Sequence, residues 1–323
     1  MSNNPYLIIV AGPTASGKGS APVKIQKLLN LPKTYTSVLL DDLVEANPHY
    51  RKGVQEFIDT KRKEGLSNVD IVNIFSNPTP YHITTFNNLY FESRKNTDCN
   101  SGSIIESSKE NLSSNTCEAI NDNILKQALD NSDNIVFETT GQWWVGWLFE
   151  LFKDQLQKNK YDIIVVYSIV DLCELLFRNK SRAVQSIREF LKNDKATPPR
   201  LPDIRLNKYT EALSKIIKTF KTYNSKCSNK TDDICVRFII FDNRSHNSTL
   251  LYDSFSEDID NGNKVIDLYS VKSSDDCKHS DTTATAALGG KRRSYKRKKS
   301  KRSKRKRNSI KRKRKSIKRK IKY

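Results

Sequence analysis

Near the start of the chain, the segment AGPTASGKGS (Ala11–Ser20) carries the spacing G-x-x-x-x-G-K, running from Gly12 through Pro13, Thr14, Ala15, Ser16 and Gly17 to Lys18. Glycines at these positions let the backbone curl until successive N–H groups point inward at anionic oxygens. A lysine directly after the second glycine reaches terminal phosphates as a point charge. The pattern is a credible phosphate-binding loop only between a strand and a helix, and both flanks here fit that context. Three further groups have types suited to work on a phosphate. Asp41 and Asp42 close the run SVLLDD, where a carboxylate can accept the proton of an attacking hydroxyl or cap the helix that follows; Asp41 is the preferred base. Glu138 ends an apolar run and is followed by Thr139 and Thr140, a set suited to an acceptor or a divalent cation, or to a helix cap. Arg178 and Arg182 lie four apart on one helical face, with Arg188 beyond; they suit a cationic cover over a nucleotide or a solvated face.

These groups need elements to hold them. YLIIVA (Tyr6–Ala11) reads as a strand buried on both faces, and similar runs recur at Ser37–Leu40, Asn134–Glu138, Tyr161–Val170 and Cys235–Phe241. Helical patterns separate them, which predicts an α/β fold with a mostly parallel sheet and helices on both faces. Pro22 fits only if it lies in the first turn of the helix after the loop. Residues 52–118 interrupt the rhythm as an insertion, helical in part, whose Asn/Ser-rich stretch Arg94–Cys117 reads as mobile. TLLYDSF and KVIDLYS read as a last hairpin. Trp143, Trp144 and Trp147 suit a pocket wall or, at this spacing, a helix core.

The residue after Lys18 is Gly19, where a Ser or Thr commonly holds Mg²⁺, and Ser20 comes next. This GKG[ST] order resembles nucleoside monophosphate kinases, which implies that Ser20 takes the metal role, with Glu138 as a second candidate ligand. The whole series resembles the zeta-toxin group of P-loop kinases. It comprises the loop, DDLVEANPHY, FETTG, a strand, an Arg-bearing helix and FIIFDNR. The likeness spans about 1–55 and 118–245. It implies a kinase-like three-layer sandwich that uses ATP and Mg²⁺, with Gly12–Ser20 holding the phosphates. It further implies Lys18 and Asp41 in catalysis, Arg178 and Arg182 as lid arginines, and Asp42, Glu138 and Thr140 toward the acceptor. Tyr50 then matches an aromatic that follows a proline, and Phe241-Asp242-Asn243 a closing element. Bacterial members of the group phosphorylate a UDP-amino sugar. Val44 and Glu45 stand where the group has an Arg after the base, so only the fold and phosphoryl transfer are carried over. GPTASGK also resembles the start of tRNA dimethylallyltransferases, but their Asp-Ser-x-Gln element is replaced by Asp41-Asp42-Leu43-Val44. A polynucleotide 5′-kinase is a further enzyme reading.

Charge divides the chain. The net charge is +21, yet 22 of the 33 residues from Lys291 to Tyr323 are Lys or Arg and none is acidic; 35 basic and 36 acidic residues remain before them. A near-neutral body therefore carries a polycationic tail too self-repulsive to fold alone. Such a tail binds nucleic acid by counterion release or serves nuclear import. In style it resembles tails on proteins of large DNA viruses. The expected organisation is a P-loop domain over 1–245, a terminal hairpin and linker over 246–290 and a disordered tail over 291–323. No apolar run is long enough to span a membrane. The six cysteines lack CxxC spacing and Met1–Pro5 is polar, so the cysteines read as reduced thiols of an intracellular protein, nuclear or cytoplasmic.

Overall fold

The computed structural model describes residues 4–97, 99, 116–140, 146–202, 234–243 and 249–257, with isolated positions at 215, 218, 222, 261 and 264. The chain divides into two units, 1–276 and 277–323, and the second lies outside the described residues.

Tyr6–Ala11 forms β1, and all of its side chains are buried, as a strand covered on both faces requires. The order across the sheet is β2-β3-β1-β4-β5-β6, with β2 Thr36–Val38, β3 Ile135–Thr139, β4 Asp162–Ile169, β5 Val236–Asp242 and β6 Thr249–Asp253. All pairings are parallel except β5 with β6. β1, β3, β4 and β5 thus lie within a residue of the predicted runs, while β2 stops two residues short of its own. TLLYDSF supplies β6, antiparallel to β5, and KVIDLYS beyond Lys264, its expected hairpin partner, lies outside the described residues.

Alternation along the strands builds two cores. Leu7, Ile9 and Ala11 face one way with Ile135, Phe137, Ile163 and Val165. They pack on α6 (Cys117–Asp130), α7 (Gly146–Leu151) and α8 (Lys153–Lys158). Tyr6, Ile8 and Val10 face the other way, onto Ala21 and Ile25 of α1 (Ala21–Leu29). Pro22 stands in the first turn of α1, where its missing N–H costs nothing. The result is the expected three-layer α/β body. After β1 the connection runs toward β2, and after β4 toward β5, so a crevice opens between them at the carboxyl edge of the sheet, where this fold class binds ligands.

The insertion is largely helical. α3 (Pro48–Lys63), α4 (Asn68–Ser76) and α5 (Pro80–Lys95) follow α2 (Leu40–Ala46) and share a third core with α9 (Leu172–Lys192), built on Tyr50, Ile58, Phe75, Phe86, Ile187 and Phe190. Ser67 and Thr79 start α4 and α5 with reciprocal capping boxes, and Asn47 caps α3. Residues 98 and 100–115 lie outside the described residues.

Two expectations are corrected here. The cysteines are not all thiols: Cys99 and Cys117 form a disulfide across a Cα–Cα distance of 5.2 Å, and Cys173 and Cys235 are also disulfide-bonded. Cys99 and Cys117 are 18 residues apart, so their spacing carries no signal; the fold brings the segment after α5 against the start of α6. Likewise β2 ends at Val38, and Leu39 is the N-cap of α2, so Asp41 and Asp42 stand in the first helical turn rather than on a strand end or as caps.

Candidate functional site

The loop after β1 takes the shape its glycines allow. Gly17 has φ +90°, and a Cβ there would come within 2.7 Å of Asn243 Nδ2. That amide donates to the Ser16 carbonyl at 2.8 Å, so the closing segment after β5 holds the loop directly. Gly12 donates from its N–H to the Thr139 carbonyl at 3.2 Å, tying the loop to the end of β3. Asn179 of α9 donates to the Thr14 carbonyl at 3.0 Å from a third side. A single 3-10 turn, Lys18–Ser20, then leads into α1.

Lys18 is buried, donates to the Pro13 carbonyl at 3.1 Å and pairs with Glu138 Oε1 at 3.3 Å. Burial pulls its ammonium below the ordinary lysine range, while the charges of Glu138 and Asp41 oppose that shift. The loop lysine, the Glu138 carboxylate near the end of β3 and the Asp41 carboxylate after β2 therefore act on one another. Glu138 and Thr140 are half-buried; Asp42 is exposed.

Asp41 is gripped from two sides. Arg200 Nη1 meets its Oδ2 at 2.8 Å, and the Tyr90 hydroxyl of α5 donates to its Oδ1. Burial opposes ionisation, but Arg200 and the Tyr90 hydroxyl prevail, with Lys18 adding to them, and the carboxyl falls to about 2. Arg200 also reaches Glu45 Oε1 at 3.3 Å and lies over the Tyr90 ring, 4.3 Å from its centroid. Arg200 and Tyr90 belong to no motif in the sequence, and Glu45 stands there only as a departure from the resembling group. The one available signal was the stiff PPRLP segment, Pro198–Pro202, which presents Arg200 between prolines.

The two helix arginines sit differently. Arg178 Nε meets Glu174 at 2.9 Å and its Nη2 donates to the Asn243 carbonyl at 2.6 Å; its Nη1 would lie 4.0 Å from a Cβ on Gly17, which puts the guanidinium beside the loop. Arg182, about half exposed, donates to Glu45 Oε1 at 3.3 Å. Arg188 is exposed farther along α9. Trp147 is exposed and lies edge-on to Phe137 at 6.5 Å; Trp143 and Trp144 lie outside the described residues.

The residues fit a nucleoside triphosphate with magnesium. The Ser16 hydroxyl, buried in the loop, has no hydrogen-bond partner, and a Cβ on Gly12 would press on it at 2.7 Å, so glycine there keeps that hydroxyl in place for a phosphate oxygen. Ser20 is exposed, and its hydroxyl donates to the Gly17 carbonyl at 3.0 Å, leaving the oxygen lone pairs for a metal. Among the described residues no group of three His, Cys, Asp or Glu side chains forms a metal cage. Magnesium held by one or two protein oxygens plus phosphate and water needs none.

No family model and no curated protein matches the chain. Among solved structures it is similar to a chain from the PezAT chromosomal toxin–antitoxin system of Streptococcus pneumoniae, at 13% identity and TM-score 0.48, covering 88% of this chain and 86% of that one. It is also similar to a candidate kinase from Chloroflexus aurantiacus, at 14% identity and TM-score 0.32, covering 82% and 97%. At these TM-scores neither likeness bears on activity, and the candidate site stands on its own residues.

Proposed function

We propose that the chain is an ATP- and Mg²⁺-dependent phosphotransferase that moves a phosphoryl group to a hydroxyl of a small molecule or nucleotide sugar. In the same reading, its tail binds nucleic acid or directs the chain to a nucleus. The observation that carries the proposal is convergence: Lys18 pairs with Glu138, Asp41 lies near enough for its charge to act on Lys18, and Arg178 lies beside Gly17.

Each residue then has a task. The loop N–H groups and Lys18 bind the β- and γ-phosphates, and Lys18 exchanges its contact with Glu138 for a phosphate oxygen. Asp41, ionised, accepts a hydrogen bond from the acceptor hydroxyl, orients that oxygen at the γ-phosphorus, and takes its proton late, as the new P–O bond forms and the bond to the β-phosphate oxygen breaks with ADP leaving. A carboxylate this acidic is a poor sink for a proton, which suits a loose transition state in which little proton transfer precedes bond breaking. Arg178 and Arg182 offset charge on the transferring group. Ser20 and Glu138 are the side chains that would hold magnesium, which would supply positive charge to offset that of the phosphates.

Purified full-length protein tests this by ATP turnover. Lys18→Ala is expected to abolish it; an unchanged rate in that variant contradicts the proposal. Gly19 in place of the usual hydroxyl, together with the dense basic tail, favours a second reading: a nucleic-acid-binding protein on a P-loop scaffold without turnover. It requires salt-sensitive binding through residues 291–323 and no chemistry, and intact affinity after deletion of the tail would refute it.

A further inference from the structure

We propose that Tyr90 and Arg200 are positioning residues that fix the Asp41 carboxylate at the phosphate-binding loop. The inference rests on the phosphotransferase reading in taking Asp41 as the group that meets the acceptor hydroxyl. Its own support is geometric. The two carboxylate oxygens have separate partners, Tyr90 on Oδ1 and Arg200 on Oδ2, which together define its rotation and tilt.

The partners are themselves held. Tyr90 lies edge-on to Tyr50 of α3 at 6.2 Å, with Arg200 over its face. The Tyr50 hydroxyl donates to the Pro199 carbonyl at 2.9 Å, next to Arg200 in the chain. Arg51 of α3 donates to the Ala196 carbonyl at 2.9 Å and to the Asp194 carbonyl. Asp41 on α2, Tyr90 on α5, Tyr50 on α3 and Arg200 after α9 thus close a ring across four parts of the chain. Its purpose is legible in what it surrounds. Arg200 is largely buried while Asp41 stays 35% exposed, so the pair holds a carboxylate that a ligand can still reach, and one whose charge acts on Lys18. The insertion accordingly supplies a residue to the site rather than decorating its rim.

The charged and titratable groups facing Asp41 are Lys18 from the loop, Tyr90, Arg200, and Asp42 and Glu45 on its own helix, with Arg182 reaching Glu45. A carbon-13 titration of the Asp41 carboxyl in the full chain, assigned by difference from Asp41→Asn, reads the grip directly between pH 7 and pH 3. The wild type is expected to stay ionised throughout. Tyr90→Phe, which deletes one oxygen, should raise the midpoint by about one pH unit. Arg200→Gln should raise it by about one to three, and Arg200→Lys by less. In the transfer assay Tyr90→Phe should lower kcat on the order of tenfold or more with KM for ATP unchanged.

A wild-type carboxyl that titrates near 4, a midpoint unmoved in Tyr90→Phe, or a kcat equal to wild type overturns the proposal. Should Arg200→Gln fail to fold, Tyr90→Phe and Arg200→Lys still decide it. Binding of a fluorescent ATP analogue, compared with Lys18→Ala, separates the two claims. Its absence in the wild type defeats the phosphotransferase reading, and the titration still decides whether Tyr90 and Arg200 grip Asp41.

Discussion

Gly17 shows how tightly single residues are committed. Its φ of +90° costs a side chain roughly 1–2 kcal/mol, and a Cβ would also press on Asn243 Nδ2 at 2.7 Å. Gly17→Ala should therefore lower the thermal midpoint and abolish ATP binding together; a variant that binds ATP like the wild type would show that the loop does not hold phosphate in this shape. Asp41 makes a pH prediction. Its folded value, about 2, lies below the ordinary carboxylate value, so its stabilisation is complete above about pH 4 and is lost as pH falls through 2. Because Asp41 is 35% exposed, solvent screens the pairing and the contribution is below the roughly 2 kcal/mol that the full shift would give. Asp41→Asn should accordingly flatten the acid limb of a stability–pH curve measured by denaturant unfolding, and an unchanged limb would contradict the pairing with Arg200.

At the scale of elements, the disulfide between Cys99 and Cys117 closes an 18-residue separation, and Asn47 Nδ2, at the start of α3, donates to Cys117 Sγ at 3.3 Å. Loop entropy of that size corresponds to about 3 kcal/mol. Reduction, or Cys117→Ser, should lower unfolding free energy by that order, measured with and without dithiothreitol; no change would mean that the cross-link does not constrain the unfolded chain. Strands and loop were legible in the sequence because continuous apolar runs and a fixed glycine spacing are local signals, and β1, β3, β4 and β5 fall within a residue of them. The α2 start was not: SVLLDD reads as one run, but the strand stops at Val38 and Leu39 turns the chain, so Asp41 changes element without any marker residue. Arg200, Tyr90 and Glu45 escaped for a related reason. Arg200 and Tyr90 are distant in sequence from Asp41, and only the packing of α3, α5 and α9 on one core brings them to it; Glu45 shares the Asp41 face of α2 one turn on, but its partner Arg200 arrives by that same packing. Asn243 was found as part of a motif, yet its role in bracing Ser16 depended on tertiary contact.

Across the whole molecule, charge and fold are separable. Residues before Lys291 are nearly neutral, and the tail alone carries the +21 excess. Deletion of 291–323 should leave the thermal midpoint of the body unchanged and remove most binding to single- or double-stranded nucleic acid. Fluorescence anisotropy across a salt series checks this, and the steep salt slope should vanish with the tail. The central claim concerns the body. Its most direct measurement is transfer of labelled phosphate from ATP with Mg²⁺, for wild type and Asp41→Asn, to UDP-sugars, nucleosides, RNA ends and water. The account predicts transfer to one hydroxyl class in the wild type and a loss of at least a hundredfold in Asp41→Asn. Transfer that proceeds equally well without the Asp41 carboxylate, or no transfer to any acceptor by a protein that binds ATP, would contradict it.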